Sequence, residues 1–262
     1  MTVDYTQKMY GQLMAAIVDS CECYSVLDHM TACRNQTLAD RFFIMRHDVD
    51  GNVGNALEMA KVDAHYGIRA TYYFRMKPRL FRPALIRSIA DLGHEIGYHY
   101  EVLSDAKGDM AAARRLFAAN LEKLRHIAPV KTACMHGRSL SKYHNLDFWK
   151  ENSLEDFGLA AEPYLTIDYS DMYYFSDTGL CWNNRRFNLR DIVDSKETVE
   201  IRNTPHLIHF IATHDDLKGA MLTHTNIWTD CMPVLMFYKL AFWGINRLKY
   251  WKKKRMIQNT AS

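Results

Sequence analysis

Phe42-Phe43-Ile44-Met45-Arg46-His47-Asp48-Val49-Asp50-Gly51 is the stretch on which the fold turns. Its first four residues are an apolar run bounded by charge and read as a short buried strand. Downstream, residues 55–66 have helical character ended by Gly67, and Ala70-Thr71-Tyr72-Tyr73-Phe74 is β-branched and aromatic enough to form the next strand. The unit is strand, helix, strand. Upstream, residues 4–19 read as an amphipathic helix, and the polar stretch 34–40 leads into the first strand.

The alternation continues toward the C-terminus. Pro83 opens a helix that runs to Gly93, residues 94–97 are strand-like, and Met110, Ala113, Phe117, Leu121 and Leu124 recur at helical spacing. Residues 132–135 give another strand, with further strands predicted at 164–167, 172–175, 207–211 and 221–223. A helix over 234–251 closes the chain. Neither an internal repeat nor a linker interrupts the pattern, so residues 1–262 read as one α/β domain built on a parallel sheet or barrel. In such folds reactive groups gather just past the carboxyl ends of the strands.

Composition narrows the class. A 48% hydrophobic, 24% charged chain of 262 residues buries a sizeable core, which excludes a disordered or low-complexity protein. Seven of the 33 Lys and Arg follow Asp230 and no acid does, which leaves 26 against 30 Asp and Glu in the body. A mildly acidic body argues against nucleic acid as a partner. The N-terminus lacks a long apolar segment, no uncharged run approaches the roughly 20 residues of a spanning helix, and the six cysteines are scattered. The expectation is a cytoplasmic protein with reduced thiols. Cys21, Cys23, His29 and Cys33 lack the paired spacing of a zinc site.

Asp48 and Asp50, two residues apart at a strand end, are suited to share a metal site: one carboxylate binds the ion and the other takes a proton from water. On the residues alone, capping of the following turn and helix is an equal alternative. Gly93-His94-Glu95-Ile96-Gly97-Tyr98-His99-Tyr100-Glu101 ends another strand, where His99 is a candidate ligand and His94 a structural residue. His206, His209 and His214 lie on or beside the strand expected at 207–211, would point to both of its faces and so cannot all be ligands.

Taken in order, these motifs resemble the NodB-homology polysaccharide deacetylases, carbohydrate esterase family 4, which fold as a distorted (β/α)7 barrel. The family's first motif, T-F-D-D-G, is similar to Arg46–Gly51 with one residue inserted between the acids. Gly67–Phe74 is similar to its second strand, and Gly93–His99 to the entry into its second motif. The resemblance implies Asp48 as general base, with Asp50 and His99 as metal ligands. Leu103 stands where the family's second motif has its second histidine, so a ligand is missing, and Glu101 is the expected substitute from proximity. The H-D-V-D and H-Y-E signatures are closest to a divergent branch of WbmS-like proteins associated with O-antigen assembly.

Further along, Met135-His136-Gly137-Arg138 occupies the place of the third motif, where an arginine orients the catalytic carboxylate; Arg138 is expected in that role. Asp168 is a weak candidate near the fourth motif. Met221-Leu222-Thr223-His224 is similar to the family's L-x-H strand end, which implies His224 as the general acid. His136, Tyr100 and Trp228 are the expected contacts to the sugar, with His136 placed to reach either the metal or the substrate. The implied function is hydrolysis of an N-acyl group, acetyl or formyl, on an amino sugar of a surface polysaccharide precursor, with a divalent metal, zinc first and cobalt or nickel as alternatives. Two rival readings are a non-catalytic carbohydrate-binding descendant, favoured by Leu103, and a membrane-docked partner of glycosyltransferases. The basic helix at about 234–255 is expected either to lie on the inner face of a membrane, where it would suit a lipid-linked substrate, or to pack on the barrel.

Overall fold

The computed structural model describes residues 3–139, 141–182, 188–196 and 199–260. Seven strands, all paired in parallel, make one sheet: β1 (Glu22–Tyr24), β2 (Phe42–Val49), β3 (Thr71–Phe74), β4 (Glu95–Tyr100), β5 (Ala133–Met135), β6 (Tyr173–Ser176) and β7 (Lys218–His224). The order is β5-β4-β3-β2-β7-β6, with β1 beside the first half of β2. The sheet curls into half a barrel whose edges, β5 and β6, do not pair with each other among the described residues. The expectation of an α/β domain built on a parallel sheet therefore stands, and the curl is compatible with the distorted (β/α)7 barrel that the resemblance implies, though no closed ring forms among the described residues.

Strand β2 explains the arrangement. All eight of its residues are buried, and successive side chains alternate between two apolar regions. Phe43, Met45 and Val49 join the large core shared with the helices, whereas Phe42 and Ile44 join the smaller cluster inside the half-barrel with Tyr73, Cys134 and Ala220. Arg46 and Asp48 continue the inward series, and His47 faces the helices. The same alternation in β4 sends His99 inward and Tyr100 into the helix-side core. Gly97 belongs to the inward series, and only glycine fits there: a Cβ would sit 2.3 Å from the Tyr73 ring.

The helices that cover the sheet are α1 (Gln7–Val18), α2 (Val26–Asn35), α3 (Val53–His65), α4 (Pro83–Asp91), the short α5 (Val102–Asp105), α6 (Met110–Arg125), the single turn α7 (Pro163–Thr166), α8 (Thr204–Thr213) and α9 (Met232–Thr260). Helix α1 starts where the Thr6 hydroxyl accepts the Met9 N–H, and it buries Met9, Tyr10, Leu13, Met14 and Ile17 as one face. Two expected strands are helices instead. Residues 164–167 fall largely in α7, begun by Glu162 as cap and Pro163, and 207–211 fall in α8, whose cap Asn203 accepts the His206 N–H before Pro205. A short apolar run does not distinguish a strand from a buried helix; the cap and proline do. His206, His209 and His214 accordingly belong to a helix and its end, and none joins a candidate metal group among the described residues.

Candidate functional site

A cavity of about 300 Å³ opens at the carboxyl ends of the strands, with Asp48, Asp50, His99, His136 and His224 on its wall. One ligand atom each from Asp50, His99 and His136 lies within 4.8 Å of the other two. Both imidazoles are oriented from behind: His99 Nδ1 donates to the Cys134 carbonyl at 2.9 Å and His136 Nδ1 to Glu101 Oε2 at 3.2 Å. Each Nε2 is thereby left toward Asp50, at 3.6 Å in both cases. This is the outer bonding that fixes tautomer and ring direction in metal-ligating histidines.

The charges at this point suit a cation, and the nearest guanidinium, Arg75, stands 3.7 Å from Asp50 Oδ1 without hydrogen-bonding it. Asp50 Oδ1 is buried and has no hydrogen-bond partner. Burial would push the Asp50 carboxyl up, but His136, then His99 and His224, hold it well below the usual carboxylate range. Burial lowers His99 to about 4, so its Nε2 carries a free lone pair at neutral pH. His136 goes the other way: burial disfavours its charge, yet Asp50 and then Glu101 push it up to about 9. Two carboxylates thus hold a positive charge at His136 Nε2, and a proton or a metal ion supplies it. Two nitrogens, one carboxylate oxygen and open space beside them fit a divalent ion such as zinc with a free position.

Asp48 stands next to this group, 3.3 Å from His99 Nε2. Arg46, two residues earlier on the same face of β2, donates to both of its oxygens at 3.0 and 2.8 Å, and the guanidinium lies over the rings of Tyr73 and Tyr164. Burial would raise the Asp48 carboxyl, but Arg46 outweighs it and keeps the group ionised. On the other side, His224 Nε2 is 4.0 Å from Asp50 Oδ2, and its Nδ1 meets Asp177 Oδ1 at 2.7 Å. Asp177, fully buried, also accepts the His224 backbone N–H and the Trp228 indole N–H. Burial disfavours the imidazolium, yet Asp177 pushes His224 up to about 9.

Several expectations need correction. The Arg138 guanidinium lies on Asp105 at 2.7 Å and near Glu101 at 3.6 Å; the arginine bonded to Asp48 is Arg46. Glu101, expected as third ligand, is held by Arg75 and Lys77 and bonds the far nitrogen of His136; the candidate ligand group consists of Asp50, His99 and His136. Tyr100 is buried on the helix side, donating to Glu162 and accepting from Trp149, and Trp228 is buried against Asp177. Neither reaches the cavity wall as a sugar contact. Asp168 accepts the Ser170 N–H in the loop after α7 and does not line the cavity among the described residues.

Arg46 and Asp177 were missed from sequence. Arg46 has a visible signal, since residues two apart on a strand share a face; Asp177 has only its place one residue past the end of β6. Cys33 touches His29 at 3.5 Å, and these residues form no candidate metal group among the described residues. The chain matches no family model and no curated protein.

Proposed function

We propose that the chain is a metal-dependent hydrolase that removes an N-acyl group from an amino sugar of a surface polysaccharide precursor. The observation that carries the reading is the flanking of one candidate ligand group by two opposite proton-transfer devices: a carboxylate held ionised by arginine, and an imidazole held protonated by a carboxylate. Hydrolysis of an unreactive amide needs both, because water must lose a proton to attack and nitrogen must gain one to leave. The choice of an N-acyl amino sugar and of the deacetylase-type fold comes from the motif resemblance, and the anchored Asp50, His99 and Asp48 are its counterparts here.

A divalent ion held by Asp50, His99 and His136 would polarise the acyl carbonyl. Asp48 takes a proton from the attacking water, and Arg46 confines its two oxygens so that the carboxylate remains the base. His224 gives its Nε2 proton to the departing nitrogen as the carbon–nitrogen bond breaks, while Asp177 holds the ring and stabilises its charged form. The products are a carboxylic acid and a free amino sugar. A panel of N-acetyl and N-formyl amino sugars, assayed for released amine with zinc, cobalt or nickel added, tests the reading. Turnover is expected in the native chain and a loss of about 10²- to 10⁴-fold in Asp48→Asn, with metal content retained. Equal turnover by Asp48→Asn would overturn the assignment of the base.

A further inference from the structure

Helix α9 is apolar along two faces, and only one of them is covered. Leu235, Tyr238 and Phe242 pack toward the body, Asn246 donates to the Gly179 carbonyl, and Phe242 and Lys249 reach the wall of the cavity. On the other side, Met236, Leu240, Trp243, Arg247 and Trp251 follow at steps of three or four, flanked by Phe237 and Leu248, and so share one face. Phe237, Leu240, Trp243, Leu248 and Trp251 are each between 59 and 72% exposed. A contiguous stripe of this kind marks an interaction surface rather than scattered surface residues.

The charges on the helix select the partner. Its residues carry seven Lys and Arg and no acid: Lys239, Arg247, Lys249, Lys252, Lys253, Lys254 and Arg255. The Arg247 guanidinium lies 4.8 Å over the Trp243 ring, which holds a cation at the level of the indole. Indole rings with basic neighbours are the composition of a helix lying in the headgroup layer of an anionic bilayer. No helix of the described residues is long and apolar enough to cross a membrane, so the contact is one of lying on the surface.

We propose that the outer face of α9 docks the protein on an anionic lipid surface, with the cavity mouth at the helix's inner face. The inference is independent of the hydrolase reading. The 262-residue chain is floated with vesicles of phosphatidylcholine, with and without phosphatidylglycerol. Binding to the anionic vesicles alone is expected, with a blue shift of indole emission and a steep loss at high salt. The double variant Leu240→Ser/Trp243→Ser removes two exposed apolar side chains and is expected to bind at least about tenfold more weakly with unchanged thermal unfolding. Equal flotation of that variant would overturn the proposal. So would an absence of vesicle binding together with self-association that the same variant abolishes, which would make the stripe a contact between copies of this chain.

Discussion

Two buried polar clusters lie back to back on strand β2, and they differ in one respect. On the helix side, His47 bonds Thr223 at 2.5 Å and Asp63 at 3.0 Å, and Asp63 accepts the hydroxyls of Tyr10 and Tyr72 at 2.6 Å each. Both His47 and Asp63 are fully buried, and every polar atom of the pair has a partner. On the inner side, Asp48 and then Asp50, just past the strand's end, face a cavity, and Asp50 Oδ1 has no hydrogen-bond partner, only His99 Nε2 at 3.6 Å and Arg75 Nη1 at 3.7 Å. A saturated cluster closes a fold; an open one, with its candidate ligand imidazoles oriented from behind, leaves room for the proposed ion.

The contrast can be broken from either side. Asp63→Ala strips partners from two buried hydroxyls and one imidazole, each worth about 1–3 kcal/mol. We expect a loss of several kcal/mol of stability in denaturant unfolding, with metal content per folded molecule unchanged. A stable variant that had lost its ion would erase the distinction between the two faces. Glu101→Gln acts on the open side, since it weakens the bond that orients His136. Metal affinity, read by competition with a chelator, is expected to fall about 10- to 100-fold; no change would return His136 to a role outside the ligand set.

A smaller effect sharpens the same point. Asp177 holds His224 at about 9, so the protonated imidazole, the proposed acid, is present below that pH and is lost as the pH rises through it. In Asp177→Asn the imidazole returns toward its ordinary value of 6.5. The alkaline limb of the pH–rate profile then moves down, and activity at pH 7.5 falls about tenfold while acidic rates change less. An unmoved alkaline limb would show that another group sets it.

The parallel α/β sheet was legible because its strands are short apolar runs followed by helical periodicity. Asp48, Asp50, His99 and His224 were legible because they end such runs. The run rule stopped β2 at Met45, four residues early, because it treats charge as a boundary. Inside the half-barrel Arg46 and Asp48 neutralise one another, and the strand continues through them to Val49. Asp177 lies 47 residues from His224, and nothing local announces the pair. Tyr100 was misplaced although the alternation of β4 puts it opposite His99; the inward series Glu95, Gly97, His99 was there to be counted. Arg138 sits where the resemblance expects an arginine, but the one that meets Asp48 comes from two residues before it.

The most direct test of the account is metal content by elemental analysis of untagged protein supplemented with zinc, cobalt or nickel. The comparison sets the native chain against Asp50→Ala, His99→Ala and His136→Ala, with Asp63→Ala as the control from the closed face. The account predicts about one equivalent of ion in the native chain and in Asp63→Ala, and its loss in the other three. No bound ion in the native chain after supplementation, or an ion that survives all three substitutions, would contradict it.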